Sequence, residues 1–211
     1  MRKIFLLLTV IACTNIHAQV AEGTIKYTME LEGGFSMGPN VSTIIYFKKD
    51  KSLTEMNTPV YTMKTLNDNN GMLLLMNANG NKFYQRKTKA EIDKDRLTGK
   101  TATPVIEATK QKKMILGYEC IKSYLTVPVK GANSKIGLWH TAKISPITAD
   151  LGVLTRDMAK KINGAVLEIN IEEGPIKSTI RAVEISVKPV PESVFNLSTV
   201  GYTERKPGSR N

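Results

Sequence analysis

The chain reads as a mainly β protein built on one antiparallel sheet system, a barrel or a sandwich, with a single good helix. Three observations predict this. Apolar residues alternate with polar ones at period two from Thr24 to Leu31. Turn clusters rich in Asn and Gly punctuate short apolar runs along the first half of the sequence. No βαβ alternation occurs, which argues against a doubly wound fold.

Ile25, Tyr27, Met29 and Leu31 share one face of the first strand, with Thr24, Lys26, Thr28 and Glu30 on the other. After Gly33-Gly34 and Met37-Gly38-Pro39-Asn40, Val41 to Lys48 makes a second strand and Lys51 to Met56 a third. Asn67-Asp68-Asn69-Asn70-Gly71 and Asn77-Ala78-Asn79-Gly80-Asn81 supply residues that tolerate positive φ, as hairpin turns require. Met72 to Met76, apolar throughout and too short for a helix, is predicted to be a strand covered on both faces. Tyr61 to Leu66 and Lys82 to Lys87 flank it in a meander.

Residues 88–103 are polar and read as a surface loop. Val105–Ile115 and Tyr118–Val127 form a hairpin near Gly117, followed by a strand from Ile136 to Lys143. The helix comes next: Ser145 as N-cap, Pro146 at the first turn, Ile147, Leu151, Leu154, Met158 and Ile162 at helical spacing, and Gly164 as the stop. Ala165–Ile171 and Ile176–Lys188 make a last hairpin. Pro189 and Pro191 open an irregular segment, and residues from Arg205 onward read as a disordered polar tail. The domain therefore runs from 19 to 204.

Residues 1–18 read as a signal peptide: Arg2 and Lys3, then an apolar run from Ile4 to Ala12 that is too short to span a membrane, then Ala18 before Gln19. Cleavage there removes two basic residues and lowers the formal charge from +11 to +9. Val10-Ile11-Ala12-Cys13 also fits a permissive lipobox, so lipidation at Cys13 is the alternative. Either route predicts an exported protein, periplasmic or outer-membrane-associated.

After cleavage near Ala18, Cys120 and His140 are the only cysteine and the only histidine that remain. A nucleophilic dyad would require these two to meet, and a small strand residue is the simpler reading of Cys120. No GxSxG, HExxH, P-loop or GxGxxG pattern is present. Asp93-Lys94-Asp95 lacks the offsets of a calcium loop. No catalytic residue, metal or cofactor is expected.

Eight methionines follow the signal, at positions 29, 37, 56, 63, 72, 76, 114 and 158. Their scatter disfavours copper and fits either core filling or an adaptable apolar surface. Lys82 to Lys113 holds ten basic and four acidic residues. Such a stretch either meets anionic head groups or defends an edge strand against aggregation. With seven Tyr, five Phe and one Trp in the whole chain, nucleic acid is not an expected partner.

Glu22-Gly23-Thr24-Ile25-Lys26-Tyr27, Ile115-Leu116-Gly117-Tyr118-Glu119-Cys120, Trp139-His140-Thr141 and Asn163-Gly164-Ala165-Val166-Leu167-Glu168 occur in a familiar order. In these segments the chain resembles the exported bacterial proteins of domain-of-unknown-function family 4412 and, more distantly, the GLPGLI family. Asn163-Gly164-Ala165-Val166 stands where the latter carries its name motif, which favours the former. The resemblance implies a fold similar to LolA and LolB: a curved antiparallel sheet forming an open barrel, with one or few helices covering its concave face. Those carriers have more helical cover than this sequence offers.

The function expected is non-enzymatic binding of an acyl chain, lipid or other hydrophobic small molecule in the curved sheet. Ile25, Tyr27, Met29, Leu31, Met72, Leu74, Met76, Leu151, Leu154 and Met158 are the expected lining. Lys82, Arg86, Lys110 and Lys112 are the expected head-group rim, against an anionic ligand or membrane surface. The alternative is an envelope interaction protein with a packed core and a basic face for a protein partner.

Overall fold

In the computed structural model, residues 19–32, 41–98, 105–129, 132–147, 149, 156–173 and 176–205 are described. Six strands run in succession: β1 (Glu22–Glu32), β2 (Ser42–Lys48), β3 (Lys51–Asn57), β4 (Tyr61–Asp68), β5 (Gly71–Ala78) and β6 (Asn81–Thr88). Helix α1 (Lys89–Thr98) leads to β7 (Val105–Ile115), β8 (Tyr118–Val129) and β9 (Ala132–Thr141). Helix α2 (Arg156–Lys161), β10 (Ala165–Glu173), β11 (Ile176–Ser186), a 3₁₀ turn (Glu192–Phe195) and β12 (Thr203–Glu204) complete the chain.

All twelve strands join one curved sheet in the order β12-β6-β5-β4-β3-β2-β1-β11-β10-β9-β8-β7. It consists of two antiparallel meanders, β1 to β6 and β7 to β11, joined where β1 pairs with β11. Only β12 runs parallel to its neighbour, β6. The end strands β12 and β7 do not pair with each other, so the sheet is open. Bulges at Lys26/Tyr27, Val166/Glu168 and Ala108/Lys112 sharpen its twist.

The tight turns follow the residues supplied for them. Asn79 and Gly80 both take positive φ (50° and 85°), the conformation that lets a two-residue loop match strand twist. Leu116 adopts φ 48° before Gly117, an unfavourable position for a γ-branched residue. Between β4 and β5, Asp68 Oδ1 accepts the N–H groups of Asn70 (2.7 Å) and Gly71 (3.0 Å).

Three expectations change. Residues 89–98, expected as loop, are helix α1. Thr88 Oγ1 accepts the Glu91 N–H (3.2 Å), and Glu91 Oε2 accepts the Thr88 N–H (2.8 Å), a reciprocal capping box. Ser145 does not start a helix. Its N–H donates to the Val20 carbonyl (2.9 Å), and Ile144 forms a parallel bridge with Val20. Of the helical run expected up to Ile162, only α2 is helical among the described residues, and Leu151 and Leu154 lie outside them. The stop holds: Gly164 takes φ 107° against the Thr141 backbone, where a β-carbon would collide. Arg205, expected to begin the disordered tail, donates its N–H to the Tyr84 carbonyl (2.8 Å).

The main core lies on one face of the sheet, here the inner face. Ile25, Tyr27, Ile45, Phe47, Leu125, Ile136, Leu138 and Ile169 pack there with Ile144, Ala149, Ala159 and Ile162 from the connection between β9 and β10. The Tyr27 hydroxyl donates to the Val166 carbonyl (2.8 Å), satisfying its one polar atom inside the core. A second cluster lies on the outer face. Leu53 meets Val190 and Phe195 of the C-terminal segment, with Tyr46, Leu66, Val194 and Leu197 around them.

Candidate functional site

Side chains alternate across each strand, so register alone decides which residues share a face. Three cross-strand rows can be followed from β1 or β2 to β6. Ile25, Ile45, Thr54, Thr65, Leu74 and Gln85 form the middle row. On one side run Tyr27, Thr43, Met56, Met63, Met76 and Phe83; on the other run Phe47, Ser52, Asn67, Met72 and Lys87. Ile25, Tyr27, Met72, Leu74 and Met76, widely separated in sequence, thus share the inner face. Met29 and Leu31 continue it along β1, opposite Ile180 and Ser178 of β11.

The inner face has two characters. Toward β1 and β2 it is filled: Ile25 and Tyr27 are 0% and 1% exposed. The gap enclosed by Tyr27, Ile45, Ile147, Ala149, Ala159, Gly164 and Val166 measures about 10 Å³, no more than one water needs. Met158 packs against this core from α2. Toward β4 to β6 the methionines, Leu74 and Phe83 are only half-buried. Between these regions lies a buried polar patch, Ser52, Thr54, Thr65 and Asn67, each under 5% exposed. Among the described residues, Ser52 Oγ, Thr54 Oγ1 and Asn67 Nδ2 have no hydrogen-bond partner.

The four expected rim residues do not meet. Lys82 and Arg86 alternate with Phe83 and Gln85 on β6, and so stand on the outer face, opposite the methionines. Lys110 and Lys112 belong to β7, at the other end of the strand order. Lys112 pairs with Glu119 (3.1 Å) on the neighbouring β8. The side chain that does reach the inner face is Lys87, opposite Met72.

On the outer face the C-terminal segment leaves a groove of about 650 Å³ over β4 to β6. Leu66, Leu73, Phe195 and Leu197 give it apolar walls; Asp68, Arg86, Thr88 and Ser198 bring polar groups, and Met72 also lines it. Sequence reading missed this site. Its signal was the apolar set Val190, Val194, Phe195 and Leu197 in a segment read only as irregular.

Cys120 and His140 do not form a dyad. His140 pairs with Ile121, so Cys120, one residue away, projects to the opposite face. Burial pushes the Cys120 thiol up to about 11, away from a reactive thiolate. His140 instead joins Ser123 (Nε2···Oγ, 2.9 Å) and the Asn163 carbonyl (Nδ1···O, 3.1 Å). A carbonyl can only accept, so Nδ1 carries the proton and Nε2 accepts from the serine. Burial lowers the His140 pKa despite the hydrogen bond to Asn163, and keeps the ring neutral.

The outer face of β7 to β10 carries charge over aromatic rings. Lys113 lies 4.4 Å and Lys122 5.6 Å from the Trp139 ring centre, and Lys135 lies 4.1 Å from that of Tyr124. Glu168, 4% exposed, accepts from Lys113 Nζ (2.6 Å) and Arg181 Nε (2.8 Å). Burial alone would raise its pKa, but these two cations outweigh burial and hold it below the usual carboxylate value. Among the described residues no cluster of His, Cys, Asp and Glu could hold a metal ion, and no helix is long and apolar enough to cross a membrane.

No family model matches the chain. No curated protein matches it either. Among solved structures the chain is similar to LprF from Mycobacterium bovis, with 17% identity, coverage of 82% of this chain and 89% of that one, and a TM-score of 0.33.

Proposed function

We propose that this chain is a non-enzymatic protein of the cell envelope, periplasmic or outer-membrane-associated, that binds an acyl chain or another apolar ligand on the inner face of its sheet. The observation that carries this reading is the register, which gathers Met56, Met63, Met72, Leu74, Met76 and Phe83 on one half-buried surface beside a filled core. Thioether side chains adapt their shape to varied apolar ligands, and each buried methylene contributes about 0.8 kcal/mol. The ligand lies over β4 to β6, since the region beside Tyr27 is filled. The unpartnered Ser52, Thr54 and Asn67 atoms offer polar contacts to a ligand's ester or hydroxyl group.

Native mass spectrometry of gently purified protein, followed by organic extraction, tests this reading. Co-purifying lipid near one per chain supports it, and a bare mass that stays bare on incubation with lipid sinks it. Thr54→Val adds a second readout. It is expected to stabilise the empty protein by about 1 kcal/mol, by removing an unsatisfied buried hydroxyl, while weakening a hydroxyl-bearing lipid.

A second reading has its own observation. Lys113, Lys122 and Lys135 over Trp139 and Tyr124 form a basic, aromatic outer surface suited to an acidic envelope partner. Crosslinking in the envelope would favour this reading if lipid analysis came back empty.

A further inference from the structure

We infer that the outer-face groove is a second binding site, and that it takes a single-chain anionic amphiphile with a carboxylate head. Its roof is a strap anchored at both ends. At the start, the Val190 N–H donates to Glu22 Oε1 (2.5 Å), Lys48 Nζ donates to the Val190 carbonyl (3.1 Å), and Lys48 and Lys51 pair with Glu192. At the end, β12 joins β6, the Arg205 N–H donates to Tyr84, and the Arg205 guanidinium sits 4.0 Å from the Phe83 ring centre. Between these anchors the strap folds on itself, with Tyr202 N–H to Thr199 O (3.0 Å) and Val200 N–H to Ser198 Oγ (3.2 Å).

The space under the strap, about 650 Å³, falls within the usual range for small-molecule sites. Leu66, Leu73, Phe195 and Leu197 would hold the aliphatic chain. Arg86 lines the groove and makes no ion pair among the described residues, and its planar fork suits a carboxylate. Asp68 is the one acid in the lining, and its Oδ1 is already occupied by the turn N–H groups of Asn70 and Gly71. Lys82, on the same face of β6 as Arg86, adds to the positive field.

Dodecanoate and dodecanol, titrated into the full chain by calorimetry, test this inference. Arg86→Gln is expected to weaken dodecanoate about tenfold and leave dodecanol unchanged. Ser198→Trp, which fills the groove from the strap, is expected to abolish binding of both probes at the groove and to leave inner-face binding in place. Met63→Glu, within the inner-face surface, is expected to remove binding there and to leave the Arg86-dependent dodecanoate step at the groove intact. The site is overturned if Arg86→Gln has no effect, or if Met63→Glu abolishes binding and Ser198→Trp does not; the second pattern would leave the inner-face reading standing. Failure of the wild-type chain to bind either probe overturns the groove, whereas lipid extraction judges the inner face independently.

Discussion

At the scale of single residues, two buried titratable groups link stability to pH in the same direction. His140 is held neutral in the fold, below its ordinary value of 6.5. The unfolded chain therefore takes up a proton first, and stability falls as pH drops from about 6.5 toward the folded value. Glu168 is held below its ordinary 4.5 by Lys113 and Arg181. Its contribution is complete above that value and is lost as pH falls through the folded one. Urea midpoints measured from pH 7.5 to 3.5 should decline in two stages. His140→Gln should flatten the upper stage, and Glu168→Gln should flatten the lower one while costing about 1–3 kcal/mol at neutral pH. A midpoint constant between pH 7 and 5 would contradict the assignment of His140. None of this could be read from the sequence, because Ser123 and Arg181 become partners only through strand register, and Asn163 only through the turn that leads from α2 into β10.

At the scale of elements, the strands were the most legible part. Thr24 to Leu31 alternates and is a strand; Met72 to Met76 is apolar throughout and is a strand with both faces partly covered. Helix α1 was missed because its polar composition hides it, although Thr88 and Glu91 spell a capping box. Thr88→Ala should cost about 1 kcal/mol locally. The measurable outcome is faster tryptic cleavage at Lys89 and Lys94, roughly fivefold, with little change in global melting. Unchanged cleavage would mean that the cap does not hold α1. Ser145 failed in the opposite way. A good cap sequence was overridden by backbone hydrogen bonds with Val20, more than a hundred residues away.

At the scale of the whole molecule, the sheet is used on both faces. The inner face holds the main core and the methionine surface; the outer face carries the second cluster and the strap. Phe195, 6% exposed, fastens the strap over Leu53 and lies beneath the Lys51 ammonium (5.1 Å from the ring centre). Phe195→Ala should destabilise by about 3 kcal/mol and loosen the groove. Denaturant unfolding would read the first effect, and increased exchange of the amides from 194 to 202 the second. Protection of those amides unchanged in the variant would show that Phe195 is not what holds the strap.

The sequence by itself determined the β class, the eleven strands from β1 to β11 and the Asn79-Gly80 turn, because period, turn chemistry and steric limits on φ are local properties of the chain. It also determined that Ile25, Tyr27, Met29 and Leu31 share a face, since alternation within one strand needs no partner. Only the tertiary structure decided that Met72, Leu74 and Met76 join that face while Lys82 and Arg86 leave it. Register across six strands is set by pairing between segments distant in sequence. It likewise separated Arg86 from Lys110, because the chain crosses from one end of the sheet to the other between β6 and β7. A run of like charge in sequence thereby falls on strands that are not neighbours in the sheet.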